Sequence, residues 1–501
     1  MATLPDIEKG DHDGDELIKE PLLEKKDGLD GLYMILLCTA VAVCGSFAFG
    51  SSVGYSSPAQ YAIMEELGLS YSQYSIFGSI LTVGAMIGAL TCGRISDTVG
   101  RKGAMRLSSF ICTAGWMAIY LAKVPKMLYM GRFSIGYSVG ILSYVIPVFV
   151  GEITPNKLRG AIGSLNQLFI VIGLSSSYVI GAFAGWRTLA LCGLAPCVLQ
   201  FLGLFLIPES PRWLAMSGQE EAFEAALRKL RGPHVDISIE AGIVKENVAT
   251  LQLHPKVTLR NLFDKANIRA VVIAVGLMAF QQVVGINGIV FYSNYIFQSA
   301  GFNPNVGSIL YAIIQIFVTA GNAILVDRTG RRPLLLTSAS GLLLGSLLIA
   351  MSFLLKAHEL ATNWVPYFAV IGVLVYIGFF SIGMGAGPWL IMSEVFSLHI
   401  KGLGGGLVTL VNWFGSWVVS FTFNFLMLWS SYDKDHIGFE GLTESNLAPN
   451  HNIFGEENGI NMRPTQYTNT AKKWSTKLKG LGFRPETKAI GTLEKMPSRL
   501  R

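Results

Sequence analysis

The chain has 501 residues and a mass of 54.4 kDa, a length that soluble proteins divide into about three domains. Only 14 % of it is charged, where soluble chains average about 25 %, while 51 % is hydrophobic and the mean hydropathy is +0.47. So few charges cannot cover a soluble particle of this size, and the net charge of +6 matters less than where the charges sit. The composition is that of an all-α polytopic membrane protein.

Residues 1–30 form a polar, acid-rich tail with no apolar core, so no signal peptide is expected. Within the tail, three residues separate Asp13 from Leu17-Ile18, the spacing of an acidic dileucine signal read by sorting adaptors. A helix rising 1.5 Å per residue needs about 20 apolar residues to cross about 30 Å of hydrocarbon. Eleven segments qualify, near 33–53, 73–92, 104–122, 127–149, 162–184, 186–207, 268–291, 306–326, 333–355, 365–391 and 402–428. They divide into an N-terminal six-helix bundle (31–207) and a C-terminal bundle of five (268–428). Residues 208–267 read as a cytoplasmic linker of short amphipathic helices. Residues 429–501 read as a polar, disordered tail. A six-plus-six design needs a twelfth span, and residues 432–484 contain no apolar run long enough to supply it.

Lysine and arginine crowd the N-terminal tail and the loops after the even-numbered spans. The opposite loops hold Lys123, Lys126, Arg187 and Lys356. The N-terminus is therefore expected in the cytoplasm. The six cysteines all lie in apolar segments, where they read as small packing residues rather than as disulfides or metal ligands. No metal or cofactor is expected. A Walker-type phosphate loop and a nucleophile elbow are both missing, so ATP-driven pumping and hydrolysis have no residues to run on.

An internal repeat is legible. Gly93–Lys102 follows the second span and Asp327–Arg332 follows the eighth. At an offset of 230 residues they superpose Asp97 on Asp327 and Gly100-Arg101 on Gly330-Arg331. A second pair follows the fourth and tenth spans, where Glu152 precedes Arg159, and Glu394 precedes Lys401, by seven. Transporters are commonly built from such repeats, with substrate bound between the halves. These residues, with Glu209 and Arg212 of the linker, are read as a charge latch on the cytoplasmic face. Positive-inside anchoring alone explains the bases but not the repeated acids.

Polar residues within the spans define a candidate site. Gln281 and Gln282 precede Asn287 by six and five residues, about one and a half turns, with Gly285 between them. A sugar presents a ring of hydroxyls with apolar faces, so its site needs amides that donate and accept beside a flat aromatic surface. Buried amides are costly in lipid unless satisfied and so face a cavity or a neighbouring helix. In the tenth span Gly383, Gly385, Gly387 and Pro388 suit a hinge or close helix packing. Energy coupling to protons needs a titrating group at membrane depth, and no span contains an acid well inside it. Arg132 is the one charge at depth, and arginine does not titrate; it is expected either to reach the interface or to pair with polar groups. Facilitated diffusion follows, with a proton-coupled symporter as the alternative.

Together these residues resemble the sugar-porter family of the major facilitator superfamily. The motifs are Gly93–Lys102, Gly131-Arg132, Glu152 with Leu158-Arg159-Gly160, Pro208–Leu214, Gln281-Gln282, Gly285-Ile286-Asn287 and Gly387-Pro388-Trp389. Phe49–Ser56 and Ser143–Pro147 are most similar to the early-responsive-to-dehydration-like branch of plant monosaccharide transporters. The resemblance implies a twelve-helix, two-bundle carrier exposing one hexose site alternately to each side. It implies sugar contacts at Gln167, Gln281, Gln282, Asn287, Asn412 and Trp413, with Trp389 as aromatic lining. Gln315 stands where relatives often have Asn. Proton-coupled relatives carry Asp on the first helix and many carry Glu on the tenth; here the positions hold Ser52 and Ser381. In plant relatives the dileucine signal directs proteins to the vacuolar membrane, with the plasma membrane as the alternative. Pro485-Glu486-Thr487-Lys488 matches a motif that follows the twelfth helix. Without that helix, a transport-inactive form that senses sugar or interferes with full-length relatives is a further expectation.

Overall fold

The computed structural model describes residues 27–155, 158–232, 235–253, 259–265, 267–396 and 400–431. The sorting residues Asp13, Leu17 and Ile18, the reading of residues 432–484 and the motif at 485–488 fall outside them. In hydrocarbon a backbone must satisfy its own hydrogen bonds, and among the described residues all regular structure is helical. The first half consists of α1 (Asp27–Gly54), α2 (Ser56–Leu67), α3 (Tyr71–Tyr120), α4 (Pro125–Ile153), α5 (Arg159–Gly181) and α6 (Trp186–Gly203). Then come the short helices α7 (Pro211–Met216), α8 (Glu220–Arg231) and α9 (Ser238–Leu253). The second half holds α10 (Ile268–Val283), α11 (Ile286–Ser299), α12 (Pro304–Thr329), α13 (Arg331–Ala357), α14 (Val365–Phe379), α15 (Gly387–Val395) and α16 (Lys401–Ser431).

Ten stretches among the described residues are long and apolar enough to cross a membrane. One of them, α3, has 50 residues, and Gly100 divides it at φ 82°, ψ 173°. It therefore crosses twice, which brings the crossings to the eleven expected. Helices α10 and α11 form one crossing broken at Gly285 (φ 90°), and α14 and α15 form another, joined through a π-helical turn at Phe380–Met384. The repeat is visible in the backbone. Gly330, the counterpart of Gly100, takes φ 81°, ψ 167° between α12 and α13. An L side chain is strained there, so glycine is required where one helix stops and the next starts.

The charged segment after α6 folds onto one end of the bundles. In α8, Phe223, Ala226, Leu227 and Leu230 are buried, the spacing of one helix face, and they pack with Leu214 of α7 and Ala241 of α9. Arg231 joins this layer to the bundle by donating to the Ile153 carbonyl at 2.9 Å while pairing with Glu240 at 2.7 Å. This layer marks the linker end of the molecule, and the opposite end is the far end. The two bundles meet along α3–α16 and α5–α12.

The halves differ in what covers them. Helix α6 lies across α1 and α3. Its Gln200 accepts from Ser109 at 2.8 Å and donates to the Ala42 carbonyl at 3.3 Å, and its Gly193 lies so close to Trp116 that a Cβ would fall 2.6 Å from the indole. At an offset of 231 residues α1 superposes on α10, with Val41 on Val272, Gly45 on Gly276 and Gly54 on Gly285. Val41 is 8 % exposed but Val272 is 63 % exposed. A Cβ on Gly45 would overlap the Gln200 amide, whereas one on Gly276 would meet nothing within 4 Å. Trp116 corresponds to Ser346, which helps line an apolar groove of about 360 Å³ with Val283, Ile289, Ala350 and Phe423. Among the described residues no counterpart of α6 covers this face.

This asymmetry predicts opposite responses to one substitution. Gly45→Leu is expected to lower the melting temperature in detergent by displacing α6, because overpacking costs about 1–3 kcal/mol. Gly276→Leu is expected to leave it unchanged. Equal melting of the two variants would contradict the packing described.

Candidate functional site

At the broken helices, polar groups that would otherwise be stranded in the membrane find one another. Pro388 has no N–H, so the carbonyl four residues back, Met384, loses its helical partner. The Gln281 amide takes that place, donating to the Met384 carbonyl and to the Gly385 carbonyl at 3.2 Å. Gly285, in the left-handed region, turns the chain so that Asn287 donates to the Gln282 side-chain oxygen. Gln282 in turn donates to the Asn412 oxygen of α16 at 2.7 Å. Gln281, Gln282, Asn287 and Asn412 thus form one connected amide cluster joining α10, α11, the α14–α15 break and α16. Gly385, Gly387 and Pro388 supply the break itself.

Aromatic residues and further amides surround this cluster. Trp413 is buried, its indole N–H has no partner, and its ring lies 5.8 Å from Phe49 of α1, across the seam between the bundles. Gln315 of α12 is buried with its side-chain oxygen unpartnered. Gln167 of α5 is half-buried and makes no side-chain hydrogen bond among the described residues. Trp389 is half-buried and packs against a cluster that includes Met278, Phe396 and Val408.

The latch residues do not all pair. Arg101 makes a two-pronged contact with Glu152 at 3.0 and 3.1 Å and reaches Asp97 at 3.3 Å. Ser210 donates to Glu152 at 2.5 Å. Glu209 accepts from the backbone N–H groups of Arg101 at 3.1 Å, Lys102 at 3.0 Å and Ser210 at 2.8 Å. A carboxylate at a helix N-terminus is favoured by the exposed N–H groups and the helix dipole. Burial nonetheless pushes the Glu209 carboxyl above its ordinary range, with the N–H donors opposing. In the second half Arg331 pairs with Glu394 at 2.9 Å. Arg159 is exposed and Arg212 half-buried, each without an ion pair among the described residues. The side chains of Asp327 and Lys401 lie outside the described residues.

The cation at depth is fully buried. Arg132 donates to the Ser52 carbonyl at 2.6 Å and to the Ser56 hydroxyl. It lies over the rings of Phe77 at 4.9 Å and Tyr55 at 5.6 Å. Its partners are dipoles and aromatic faces, and no carboxylate pairs with it among the described residues.

A second constellation was not anticipated from sequence. A group of hydrogen bonds joins the two bundles on the far-end side. Ser57 and Ser293 share one at 2.8 Å, Asn294 N–H donates to Ser57 at 2.9 Å, Tyr178 donates to the Val290 carbonyl, Ser175 to the Ala312 carbonyl at 3.4 Å, and Asn305 to the Ala182 carbonyl at 3.0 Å. Tyr292 stacks on Phe423 at 5.0 Å and 3° and donates to the Ser420 carbonyl at 2.9 Å. The one signal in the sequence is the recurrence of Tyr and Ser in α11, residue types that do not stand out as amides in a membrane span do. Near the same end, Arg187 and the Trp186 N–H both bond Glu66, holding its carboxyl below the usual range.

Two helix bundles related by an internal repeat, with a polar cluster at their broken helices, define a multi-pass membrane carrier of the major facilitator fold. The family described as sugar (and other) transporter matches residues 37–432. The chain is 60 % identical over 423 residues to the sugar transporter ERD6-like 8 of Arabidopsis thaliana, covering 83 % of this chain and 90 % of that one. It is 56 % identical over 420 residues to ERD6-like 7 of the same plant, covering 83 % and 91 %. A partially occluded, inward open structure of the xylose transporter XylE from E. coli superposes with a TM-score of 0.67 at 23 % identity, covering 79 % of this chain and 92 % of that one, and shares the fold. This chain belongs to the sugar transporter family, in its ERD6-like branch, and is a transporter rather than an enzyme.

The two repeat glycines generate a prediction. Gly100→Ala brings backbone strain of about 1–3 kcal/mol and a Cβ 2.5 Å from a Glu209 oxygen, whereas Gly330→Ala brings the strain with open space around it. Gly100→Ala is therefore expected to melt at the lower temperature. If the two variants melt together, Glu209 contributes nothing measurable at this break.

Proposed function

We propose that this protein carries a hexose across the membrane by alternating access, as facilitated diffusion. The connected amide cluster of Gln281, Gln282, Asn287 and Asn412 carries the reading. Four neutral groups that both donate and accept can exchange their mutual bonds for those of sugar hydroxyls without creating an unpaired charge. Trp413 offers an aromatic surface and an unpartnered N–H, Gln315 an unpartnered oxygen, and Gln167 an amide from the other bundle. Trp389 adds aromatic lining. The lysine and arginine placement supports a cytoplasmic linker end, where Asp97, Arg101, Glu152 and Glu209 tie α3, α4 and the start of α7 together and Arg331 with Glu394 does so for the second half.

Passive transport is supported by Arg132. It is held by a carbonyl, a hydroxyl and ring faces, with no carboxylate paired to it among the described residues, so the site has no acid through which a proton could be coupled. The Asp13, Leu17, Ile18 pattern supports delivery by sorting adaptors to the vacuolar membrane.

The test is labelled hexose uptake into proteoliposomes with and without an imposed proton gradient. Uptake is expected to reach equilibrium and never to accumulate. Gln282→Ala removes the bonds to Asn287 and Asn412, and leaving buried partners unsatisfied costs about 1–3 kcal/mol. Its kcat/KM is expected to fall tenfold or more. Accumulation driven by the proton gradient would overturn passive transport, and unaltered uptake by Gln282→Ala would overturn the site.

A further inference from the structure

Helix α6 ends at Gly203, and in residues 204–207 the carbonyls have no further helical turn to meet them. Three cations from other helices do so instead. Arg106 of α3 donates to the Leu204 carbonyl at 3.1 Å, Lys229 of α8 to the Leu206 carbonyl at 3.3 Å and Lys102 of α3 to the Ile207 carbonyl at 2.6 Å. Four consecutive residues thus gather three positive charges. The end of a helix carries about half a negative charge, which three cations exceed.

No acid makes up the difference. Among the described residues the ion pairs at this end are made by Arg101, Arg231, Lys245 and Arg331, and none of these three cations has a carboxylate partner. Glu209, two residues beyond Ile207, spends its oxygens on backbone N–H groups. Lys102 and Arg106 stand one turn apart on one helix, where like charges repel. One turn before Lys229 stand Ala225 and Ala226, neither of them an acid. Donors are also left over: each lysine spends one of its three on a carbonyl, and the Arg106 Nε–H has no partner.

The surroundings say what kind of anion fits. On α3, Lys102, Arg106 and Phe110 follow one another at steps of four and so share a face, and Phe110 is 64 % exposed. On α6, which lies against α3, Leu199, Leu202, Phe205 and Leu206 are exposed as well. Arg106 lies over the Phe205 ring at 4.2 Å. A cationic rim therefore caps an apolar wall made by two neighbouring spans. A soluble anion has no use for that wall, whereas a phospholipid uses both, since basic pockets between membrane helices hold anionic head groups. The repeat supplies a comparison within the chain. The offset of 230 residues sets Lys102 on Arg332 but Arg106 on Leu336, which is exposed. A base at the first position is common to both halves, and the second cation belongs to the first half alone.

We propose that Lys102, Arg106 and Lys229 bind the phosphate of an anionic phospholipid in the leaflet at the linker end, with its acyl chains against Phe110, Leu199 and Leu202. A bound head group ties α3 to the end of α6 and to the linker helix α8. Such a site is independent of what the carrier transports.

The test uses the full chain in neutral detergent, with dioleoyl phosphatidic acid as the probe and the melting temperature as the readout. Phosphatidylcholine with the same chains and inorganic phosphate are the comparison arms. Phosphatidic acid is expected to raise the melting temperature saturably, and the other two to leave it unchanged. Lys229→Gln is expected to raise the half-saturating lipid concentration about fivefold, and Arg106→Gln combined with Lys229→Gln about twentyfold, for the loss of one and of two bases facing the head group. Arg228→Gln removes an equal charge from the neighbouring position of α8 and is expected to leave that concentration unchanged. Equal effects of Arg228→Gln and Lys229→Gln would overturn the site in favour of diffuse surface attraction. An equal rise with inorganic phosphate would overturn the lipid as its ligand. Absence of any effect of phosphatidic acid would overturn the proposal too, leaving the acid-rich residues 1–30 of the chain itself as the competing occupant. If the double variant does not fold, Lys229→Gln, at an exposed position, carries the comparison with Arg228→Gln.

Discussion

Hydrocarbon offers no partner to a polar group, and most of this molecule follows from where such groups are allowed to be left over. A membrane helix consumes its own backbone bonds, so every break in a helix exposes carbonyls or N–H groups that something else must meet. Pro388 makes such a break, and the released Met384 carbonyl is met by Gln281. Gly285 makes another, and the turn it permits brings Asn287 onto Gln282. The interrupted helices and the candidate site are consequences of one constraint. The amides that repair the breaks are the ones a sugar could borrow.

The same constraint explains the charged end. Gly100 interrupts a 50-residue helix and leaves the N–H groups of Arg101 and Lys102 unpaired. Glu209 arrives from the segment after α6 and accepts from both. Arg101, freed to turn its side chain inward, meets Glu152. The second half repeats both the backbone break, at Gly330, and the arginine–glutamate pair beside it, as Arg331 with Glu394. The outer surfaces diverge, since α6 seals the first half against α1 and α3 while the matching face of α10 and α13 is bare among the described residues.

Arg132 shows what neutral partners can do. Burying a guanidinium costs several kcal/mol unless its donors are used, and here a carbonyl, a hydroxyl and two aromatic faces share the task. Such partners hold the cation without making it part of a proton-binding pair. The far-end seam is built in the same way, from hydroxyls on carbonyls and stacked rings. Bonds of that kind are individually weak, about 0.5–1.5 kcal/mol each, as suits a contact that must open in a carrier cycle.

Much of the fold was legible because membrane helices announce themselves by composition and length alone. The eleven crossings, the family and the glycines of the repeat could be read without coordinates, as could the group Gln281, Gln282 and Asn287. Local spacing determines these features. Gly100 and Gly330 illustrate the reason: a helix break needs a residue that tolerates positive φ, and only the chain at that point decides it. Pairing across sequence distance was not legible. Nothing near Glu209 indicates that it would accept from backbone N–H groups about a hundred residues earlier rather than pair with Arg212, three residues away. The Tyr and Ser residues of α11 acquire meaning only when another helix is laid beside them. The sequence by itself determined where the helices run, where they break and which polar groups must be buried. The tertiary structure alone decided which of those groups satisfy one another and which are left without a partner, because that depends on the level at which antiparallel helices meet.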